Sequence, residues 1–165
     1  MGRYSFVTRW HIRAPIEAVF EEIFHVERWP RWWDGVEEAT EVEPGGPDRV
    51  GSVWEYSWKS VLPYTLRFRM RTTRVEVPVA IDGAATGELA GEGLWRLFRE
   101  GDGTLVRYEW NVATTSRWMN LLAPIARPVF AWNHDVVMRQ GGEGLAARLQ
   151  GRHRTDPAAA SYGSN

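Results

Sequence analysis

The sequence predicts an α+β protein in which a curved, seven-stranded antiparallel sheet surrounds a long C-terminal helix, with two short helices after the first strand. Two observations predict this class. The chain between Val36 and Thr114 consists almost entirely of segments in which apolar and polar residues alternate, as in half-buried strands. One long segment with helical spacing follows, from about Asn120 to Gln150. Helices collected on one face of an antiparallel sheet are typical of the α+β class.

The first strand and the two short helices are predicted near the N-terminus. Residues alternate from Arg3 to Arg13, and the inward set is Tyr4, Phe6, Thr8, Trp10 and Ile12. Pro15 then opens a short helix, because proline is favoured at the first helical position. The apolar residues of this helix are Ile16, Val19, Phe20, Ile23 and Phe24. It has to end before Pro30, and residues 28–33 form a turn or a second short helix.

The middle of the chain supplies six further strands. The polar segment Val36–Glu43 is typical of an edge strand. Apolar alternation changes phase between Thr72 and Val75, which predicts a β-bulge that bends the sheet. Glu100–Gly103 predicts a tight hairpin. Because a bent sheet can wrap around a helix, these features agree with the predicted class.

The C-terminal helix carries one inward stripe. At about 100° per residue the stripe holds Phe130, His134, Val137, Gly141 and Leu145, flanked by Asn133, Met138 and Leu149, with Asp135, Arg139 and Glu143 opposite. Gly141, Gly142 and Gly144 each cost about 1 kcal/mol relative to alanine, so we expect the helix to lie close to another backbone there. Pro124 and Pro128 predict that the helix starts late or is kinked before the stripe.

Composition and charge exclude several classes of function. The 165 residues suit one domain, predicted over residues 3–151, with a disordered tail at 152–165. The net charge of -1 gives no reason to expect nucleic acid. The absence of cysteine excludes disulfides and thiolate chemistry, and no spacing predicts a metal site. No apolar run reaches the ~18 residues of a membrane span and the N-terminus has no signal-peptide core, so we expect a cytoplasmic protein.

Two motifs near the N-terminus carry a family resemblance. Ala14–Phe20 followed by Glu27–Trp33 resembles the opening of the START-like SRPBCC superfamily, particularly its polyketide cyclase/dehydrase and lipid-transport branch. Gly91–Trp95 and the terminal helix agree, so the resemblance covers roughly residues 3–150. It implies the helix-grip fold, in which sheet and helix enclose an apolar cavity. It does not fix a reaction, since members include cyclases, lipid or quinone carriers, hormone receptors and chaperone co-factors.

The cavity implied between sheet and helix is the expected ligand site. Its predicted lining from the sheet is Trp54, Tyr56, Trp58, Phe68, Met70, Trp95, Tyr108 and Trp110. The helix adds Asn133, His134 and Val137. The alternative for each residue is ordinary core packing, because aromatic residues fill cores as readily as they line pockets. Together, large side chains that face a glycine-interrupted helix form a stacking surface suited to a flat polycyclic or isoprenoid ligand.

His134 is the titratable residue of most interest. A neutral imidazole on an apolar stripe can act as a general base or orient a phenol or ketone. The alternative is a core histidine that is hydrogen-bonded to a tyrosine hydroxyl or a backbone group. Asp135 is not expected to polarise it, because neighbouring helix positions point about 100° apart. Tyr56 and Tyr108 are the other candidates for proton transfer.

The Trp29–Trp33 segment places three indoles close together in the sequence. One interpretation is that they plug one end of the fold as a structural cluster. The other is that they form a mobile mouth of the cavity.

Three functions agree with the sequence. The first is binding or carriage of a hydrophobic, aromatic or polyketide-like small molecule. The second is a polyketide cyclase/dehydrase, or aromatase, in which the cavity folds a poly-ketone and Tyr56, Tyr108 or His134 moves protons; the sequence does not decide whether the chain is an enzyme. The third is a chaperone-associated interaction module, favoured by a closed core and an exposed aromatic patch around Trp32 and Trp118. None needs a cofactor, and all are compatible with a homodimer.

Overall fold

Seven strands and three helices form within residues 2–155, the part of the chain that the computed structural model describes. The strands are β1 (Arg3–Ile12), β2 (Val36–Glu43), β3 (Val53–Lys59), β4 (Thr65–Glu76), β5 (Ala80–Gly87), β6 (Leu89–Glu100) and β7 (Gly103–Thr114). The helices are α1 (Ile16–Phe24), a 3₁₀ helix (Val26–Arg31) and α2 (Arg117–Thr155). All neighbouring strands are antiparallel, in the order β1-β7-β6-β5-β4-β3-β2, so the predicted α+β class is confirmed.

The strands agree with the prediction in their details. β2 lies at one edge of the sheet, as its polar residues predict, and β1 lies at the other. The pairing of β4 with β5 shifts register between Thr72 and Arg74, at the predicted bulge. Glu100 pairs with Gly103 across the β6–β7 hairpin, where Gly101 takes a φ of +57° that glycine adopts without strain.

α2 is longer than the sequence predicts. It begins at Arg117, ahead of Pro124 and Pro128, so the first of the two predicted alternatives, a late start, is wrong. At its other end it includes residues 152–155 of the predicted disordered tail, and the rest of that tail, 156–165, lies outside the described residues. Neither α2 nor any other helix in the described range is long and apolar enough to cross a bilayer.

Contacts with the sheet explain the early start of α2. Asn120 Oδ1 accepts a hydrogen bond from the Gly2 backbone N–H at 3.0 Å and another from Thr114 Oγ1 at 2.6 Å. The first turn of the helix is thereby tied to the residue that precedes β1 and to the end of β7. Tertiary contacts of this kind override the weak helical preference of a proline-containing segment.

The glycines of α2 mark its closest approach to the rest of the fold. A Cβ atom at Gly144 would lie 1.6 Å from the Trp32 carbonyl oxygen, which confirms the predicted contact with another backbone. At Gly141 the neighbour is instead the indole ring of Trp33, whose nearest atom would lie 2.4 Å from an added Cβ. Glycine is therefore needed here because no side chain fits.

Two indoles of the Trp29–Trp33 segment are buried and hydrogen-bonded. Trp29 Nε1 donates to the Ile23 carbonyl at 3.1 Å, and Trp33 Nε1 donates to the Val137 carbonyl at 2.8 Å. The second bond joins Trp33, two residues beyond the 3₁₀ helix, directly to α2. The rings of Trp32 and Trp33 also stack, with centroids 5.4 Å apart. The segment is thus held between the sheet and α2 by both packing and polar contacts.

A buried ion pair joins α1 to the C-terminal half of α2. Glu22 is fully buried, and its Oε2 accepts a hydrogen bond from Arg148 Nε at 2.7 Å. Arg28 lies 3.5 Å from the other carboxylate oxygen. Because a buried carboxylate is strongly destabilising when its cation is removed, this pair constrains how α1 and α2 pack.

Replacing Gly144 with alanine should lower the free energy of unfolding. The added Cβ would overlap the Trp32 carbonyl, and moving either element to relieve the overlap costs about 1–3 kcal/mol. Gly151→Ala is the matched control, because a Cβ there meets no atom within 4 Å and alanine favours a helix by up to ~1 kcal/mol. Urea unfolding should move in opposite directions for the two variants, and equal effects would contradict the close contact.

Candidate ligand-binding cavity

A cavity of about 170 Å³ lies between the sheet and α2, where the sequence predicts a ligand. Its lining is Tyr4, Phe6, Trp29, Trp33, Trp58, Lys59, Ser60, Leu62, Tyr64, Leu66, Phe68, Leu89, Trp95, Tyr108, Trp110, Val112, Thr114, Met119, Phe130, Asn133, His134, Val137 and Met138. The walls are mainly apolar and rich in aromatic rings. Such a surface binds flat apolar molecules by burying their area and stacking on their faces.

The structure divides the predicted lining between two cavities. Eight of the eleven predicted residues line the main cavity: Trp58, Phe68, Trp95, Tyr108, Trp110, Asn133, His134 and Val137. The other three, Trp54, Tyr56 and Met70, line a second cavity of about 80 Å³. Five rings border both spaces and form a partition: Trp29, Trp58, Phe68, Trp95 and Tyr108. Alternation along the strands predicts that the lining residues share the inward surface of the sheet. It does not show that some of their rings divide the space between the sheet and α2.

His134 lies in the main cavity with its side chain only 14% exposed. Its ring stacks on Phe6 of β1, with centroids 4.1 Å apart and planes 15° from parallel. Neither ring nitrogen has a hydrogen-bond partner among the described residues, so the predicted tyrosine or backbone partner is not found. Nδ1 lies 3.7 Å from Asp135 Oδ1, which is too long for a hydrogen bond. As predicted, the neighbouring carboxylate does not form a dyad with the imidazole.

Burial sets the charge of this imidazole. Desolvation lowers the pKa of His134 below its ordinary value, and the Asp135 carboxylate offsets only part of that effect. The ring is therefore neutral near pH 7. A neutral imidazole offers one nitrogen as donor and the other as acceptor, which suits a ligand hydroxyl or carbonyl.

Three further lining residues carry buried polar atoms without a partner among the described residues. These atoms are Tyr4 Oη, Trp58 Nε1 and Asn133 Oδ1. A buried donor or acceptor left unpaired costs about 1–3 kcal/mol, so such groups are uncommon in stable cores. Together with His134 they give an aromatic cavity an unsatisfied capacity for hydrogen bonds, which is typical of a site that recognises a few polar groups on an otherwise apolar molecule.

The two candidate phenols are deeply buried. Desolvation raises the pKa of Tyr108, and Tyr56 adds to that effect; desolvation also raises the pKa of Tyr56, with a further contribution from Glu27. Both hydroxyls stay protonated near neutral pH and can donate hydrogen bonds. A Cβ at Gly93 would lie 2.5 Å from Tyr108 Oη, so this glycine leaves the room that the phenol occupies.

Several lining residues were not predicted from the sequence. Tyr4 and Phe6 belong to the inward set of β1, and that alternation is the signal that could have identified them. Trp29 and Trp33, which the sequence predicts as part of either a structural cluster or the cavity mouth, line the cavity and are buried. Trp32 is only 5% exposed, so it does not form an exposed aromatic patch with Trp118, which would have favoured the interaction module. The indole of Trp32 packs against those of Trp29 and Trp33.

The mouth of the cavity lies where α2 begins. Tyr64, in the loop between β3 and β4, donates a hydrogen bond to Glu88, and its ring lies 5.0 Å from that of Trp118. Burial, followed by the Glu88 carboxylate, raises the pKa of Tyr64 to about 12. Lys59 also lines this end, with a side chain that is 68% exposed. Loop and helix therefore meet through contacts near the surface, where separation is less costly than in the core.

Comparison with known proteins identifies the fold. No protein-family model matches the sequence, and neither does any curated protein sequence. Among solved structures, the Zhui aromatase/cyclase from a Streptomyces species has a TM-score of 0.76 at 14% identity, over 94% of this chain and 98% of that chain.

Two other solved structures give the same result. A protein from Thermus thermophilus has a TM-score of 0.72 at 18% identity, over 88% of this chain and 99% of that chain. A START superfamily protein from Mycobacterium smegmatis has a TM-score of 0.71 at 12% identity, over 91% of this chain and 98% of that chain. At such low identities the likeness shows the fold alone. It is the START-like helix-grip fold that the sequence predicts.

The buried imidazole should make stability depend on pH. The unfolded chain protonates His134 near the ordinary pKa of about 6.5, whereas the folded chain protonates it only at a lower pH. The unfolded state binds more protons in that window, so the free energy of unfolding should fall as the pH drops below about 6.5. Urea unfolding at pH 7.5 and 5.5 should show a smaller fall for His134→Gln, which stays neutral. An equal fall in both proteins would contradict the lowered pKa.

Proposed function

We propose that this helix-grip chain binds an apolar, aromatic small molecule that carries at least one hydroxyl or carbonyl group, in the cavity between the sheet and α2. The single observation that carries the proposal is the combination of ring-lined walls with the unpaired nitrogens of His134. Close-packed cores leave few voids of this size, and few of their buried polar atoms are unpaired.

The volume of the main cavity limits the size of the ligand that this conformation can bind. An engineered cavity of about 150 Å³ binds benzene, and the main cavity here is about 170 Å³. One aromatic ring therefore fits without rearrangement. A longer polyketide-like ligand fits only if the ring partition moves so that the second cavity joins the first.

The fold supports the same conclusion. One protein that shares it carries the name aromatase/cyclase, and another is named as a START superfamily protein. A binding or carrier role for this chain is the function that the geometry supports best. The cytoplasmic location, the lipid-transport role and the homodimer remain predictions from the sequence.

A matched pair of one-ring probes tests this proposal. Phenol and toluene have nearly the same shape, but only phenol can hydrogen-bond to His134. Replacing His134 with phenylalanine keeps an aromatic ring against Phe6 and removes both nitrogens. Because a buried neutral hydrogen bond contributes about 1 kcal/mol, the ratio of phenol to toluene affinity should fall about fivefold in the variant. Isothermal titration calorimetry measures both affinities.

His11→Phe is the control for this experiment. It makes the same histidine-to-phenylalanine change at an exposed strand position that lines neither the main nor the second cavity. It should leave the phenol to toluene ratio unchanged. The proposal fails if neither probe binds the unmodified chain. If both bind but the ratio is the same in His134→Phe, the cavity binds ligands without using the imidazole.

A polyketide cyclase/dehydrase is the second candidate, and the neutral imidazole of His134 in the same cavity as the protonated phenol of Tyr108 favours it. In such a reaction His134 would take a proton from the carbon between two carbonyls, while a phenol stabilises the enolate oxygen. The new carbon–carbon bond forms when this carbon attacks a second carbonyl, and the proton returns to the oxygen of that carbonyl. Tyr56, in the second cavity, contacts only the far end of a long substrate.

Kinetics with a poly-β-ketone substrate tests these roles. His134→Ala should reduce kcat about 100-fold or more, as expected for the loss of a general base. Tyr108→Phe should reduce kcat less, and Tyr56→Phe should mainly raise KM. Unchanged turnover in all three variants would show that the chain does no proton transfer with these residues.

The third function, an interaction module with a closed core, is not favoured, because the core holds a cavity and Trp32 is buried.

A further inference from the structure

The walls of the main cavity carry almost no charge. Of the described residues that line it, only Lys59 has a formal charge near neutral pH, because the buried imidazole of His134 is neutral. The Lys59 side chain is 68% exposed, and its Nζ lies 4.0 Å from a carboxylate oxygen of Glu37. Lys59 therefore has an acidic neighbour at the surface and brings no unpaired cation to the interior.

A second site in the same chain shows what a buried anion requires. Glu22 is fully buried, and its Oε2 accepts a hydrogen bond from Arg148 Nε at 2.7 Å, while Arg28 lies 3.5 Å from Oε1. A carboxylate that leaves water loses its hydration, and nearby cations have to offset that loss. The described lining of the main cavity offers a ligand no such pair of arginines.

The unpaired polar atoms of the walls require partners of both kinds. Trp58 Nε1, on β3, is a donor that lacks an acceptor, and Asn133 Oδ1, on α2, is an acceptor that lacks a donor. The neutral ring of His134 adds one nitrogen of each kind. A carboxylate only accepts hydrogen bonds, so it leaves the Asn133 oxygen unpaired. A hydroxyl or an amide can both donate and accept.

We propose that the main cavity selects uncharged ligands that both donate and accept hydrogen bonds, such as phenols, hydroxyketones or amides, and rejects carboxylates of the same shape. This inference rests on the proposed function and narrows it, because a carbonyl group also occurs in carboxylic acids. Fatty acids and aromatic acids are thereby excluded as ligands.

Benzamide and benzoate test this selection. The two molecules share one planar arrangement of ring and substituent, but at pH 7.5 benzoate is an anion, whereas benzamide is neutral and both donates and accepts hydrogen bonds. The affinity for benzamide should exceed that for benzoate at least about 100-fold, because a buried carboxylate without a cation is strongly destabilised. Isothermal titration calorimetry at pH 7.5 measures both affinities, with phenol as the reference ligand.

Asn133→Lys adds a cation to the cavity wall. The ratio of benzamide to benzoate affinity should then fall at least about tenfold, because the new charge attracts the anion. Gln150→Lys is the matched control, since it makes another amide-to-lysine change at an exposed position of α2 that lines neither cavity. It should leave the ratio unchanged, and circular dichroism should show that both variants are folded.

Three results would overturn the proposal. The first is binding of benzoate to the unmodified chain within about tenfold of benzamide; loss of that binding in Lys59→Met would then identify Lys59 as an anchor for anions. The second is an unchanged ratio in a folded Asn133→Lys variant. The third is a chain that binds phenol but not benzamide. If neither phenol nor benzamide binds, the proposed function itself fails, which is a different result from a loss of selectivity.

Discussion

The close packing of α2 on the Trp29–Trp33 segment is the contact on which the rest of the structure depends. Gly144 lets the helix backbone approach the Trp32 carbonyl, and the Trp33 indole is hydrogen-bonded to the Val137 carbonyl one to two turns earlier. Near its other end the helix is held again, through Asn120. Between Asn120 and Val137 α2 has no glycine, and the main cavity lies under this part of the helix. The cavity therefore follows from how the helix is fixed at both sides of it.

Much of the fold could be predicted from the sequence because its signals are local. Alternation identified the strands, the phase change located the bulge between β4 and β5, and the glycines of α2 indicated a close contact. The start of α2 could not be predicted, because it depends on hydrogen bonds between Asn120 and residues distant in sequence. Local propensity has no information about such partners.

The site was predictable to a similar extent. Facing directions along a strand and a helix identify inward residues, and most of the predicted set does line the main cavity. The direction in which a side chain points does not give its distance from side chains across the core. The ring partition, which places Tyr56 in the second cavity, therefore could not be predicted. The same holds for His134, whose position on the helix stripe was clear but whose stacking on Phe6 and unpaired nitrogens are tertiary properties. Those nitrogens are what distinguish a binding site from an apolar core.

The edge strand β2 affects how readily the protein aggregates through its sheet. β2 has a partner strand on one side only, and an edge strand of this kind is where strand-by-strand aggregation starts. Glu37, Glu38, Glu41 and Glu43 make half of this strand acidic. Two β2 edges that met side by side would place these carboxylates against one another. Electrostatic repulsion at this edge of the sheet thus opposes aggregation of a protein whose interior is rich in aromatic rings.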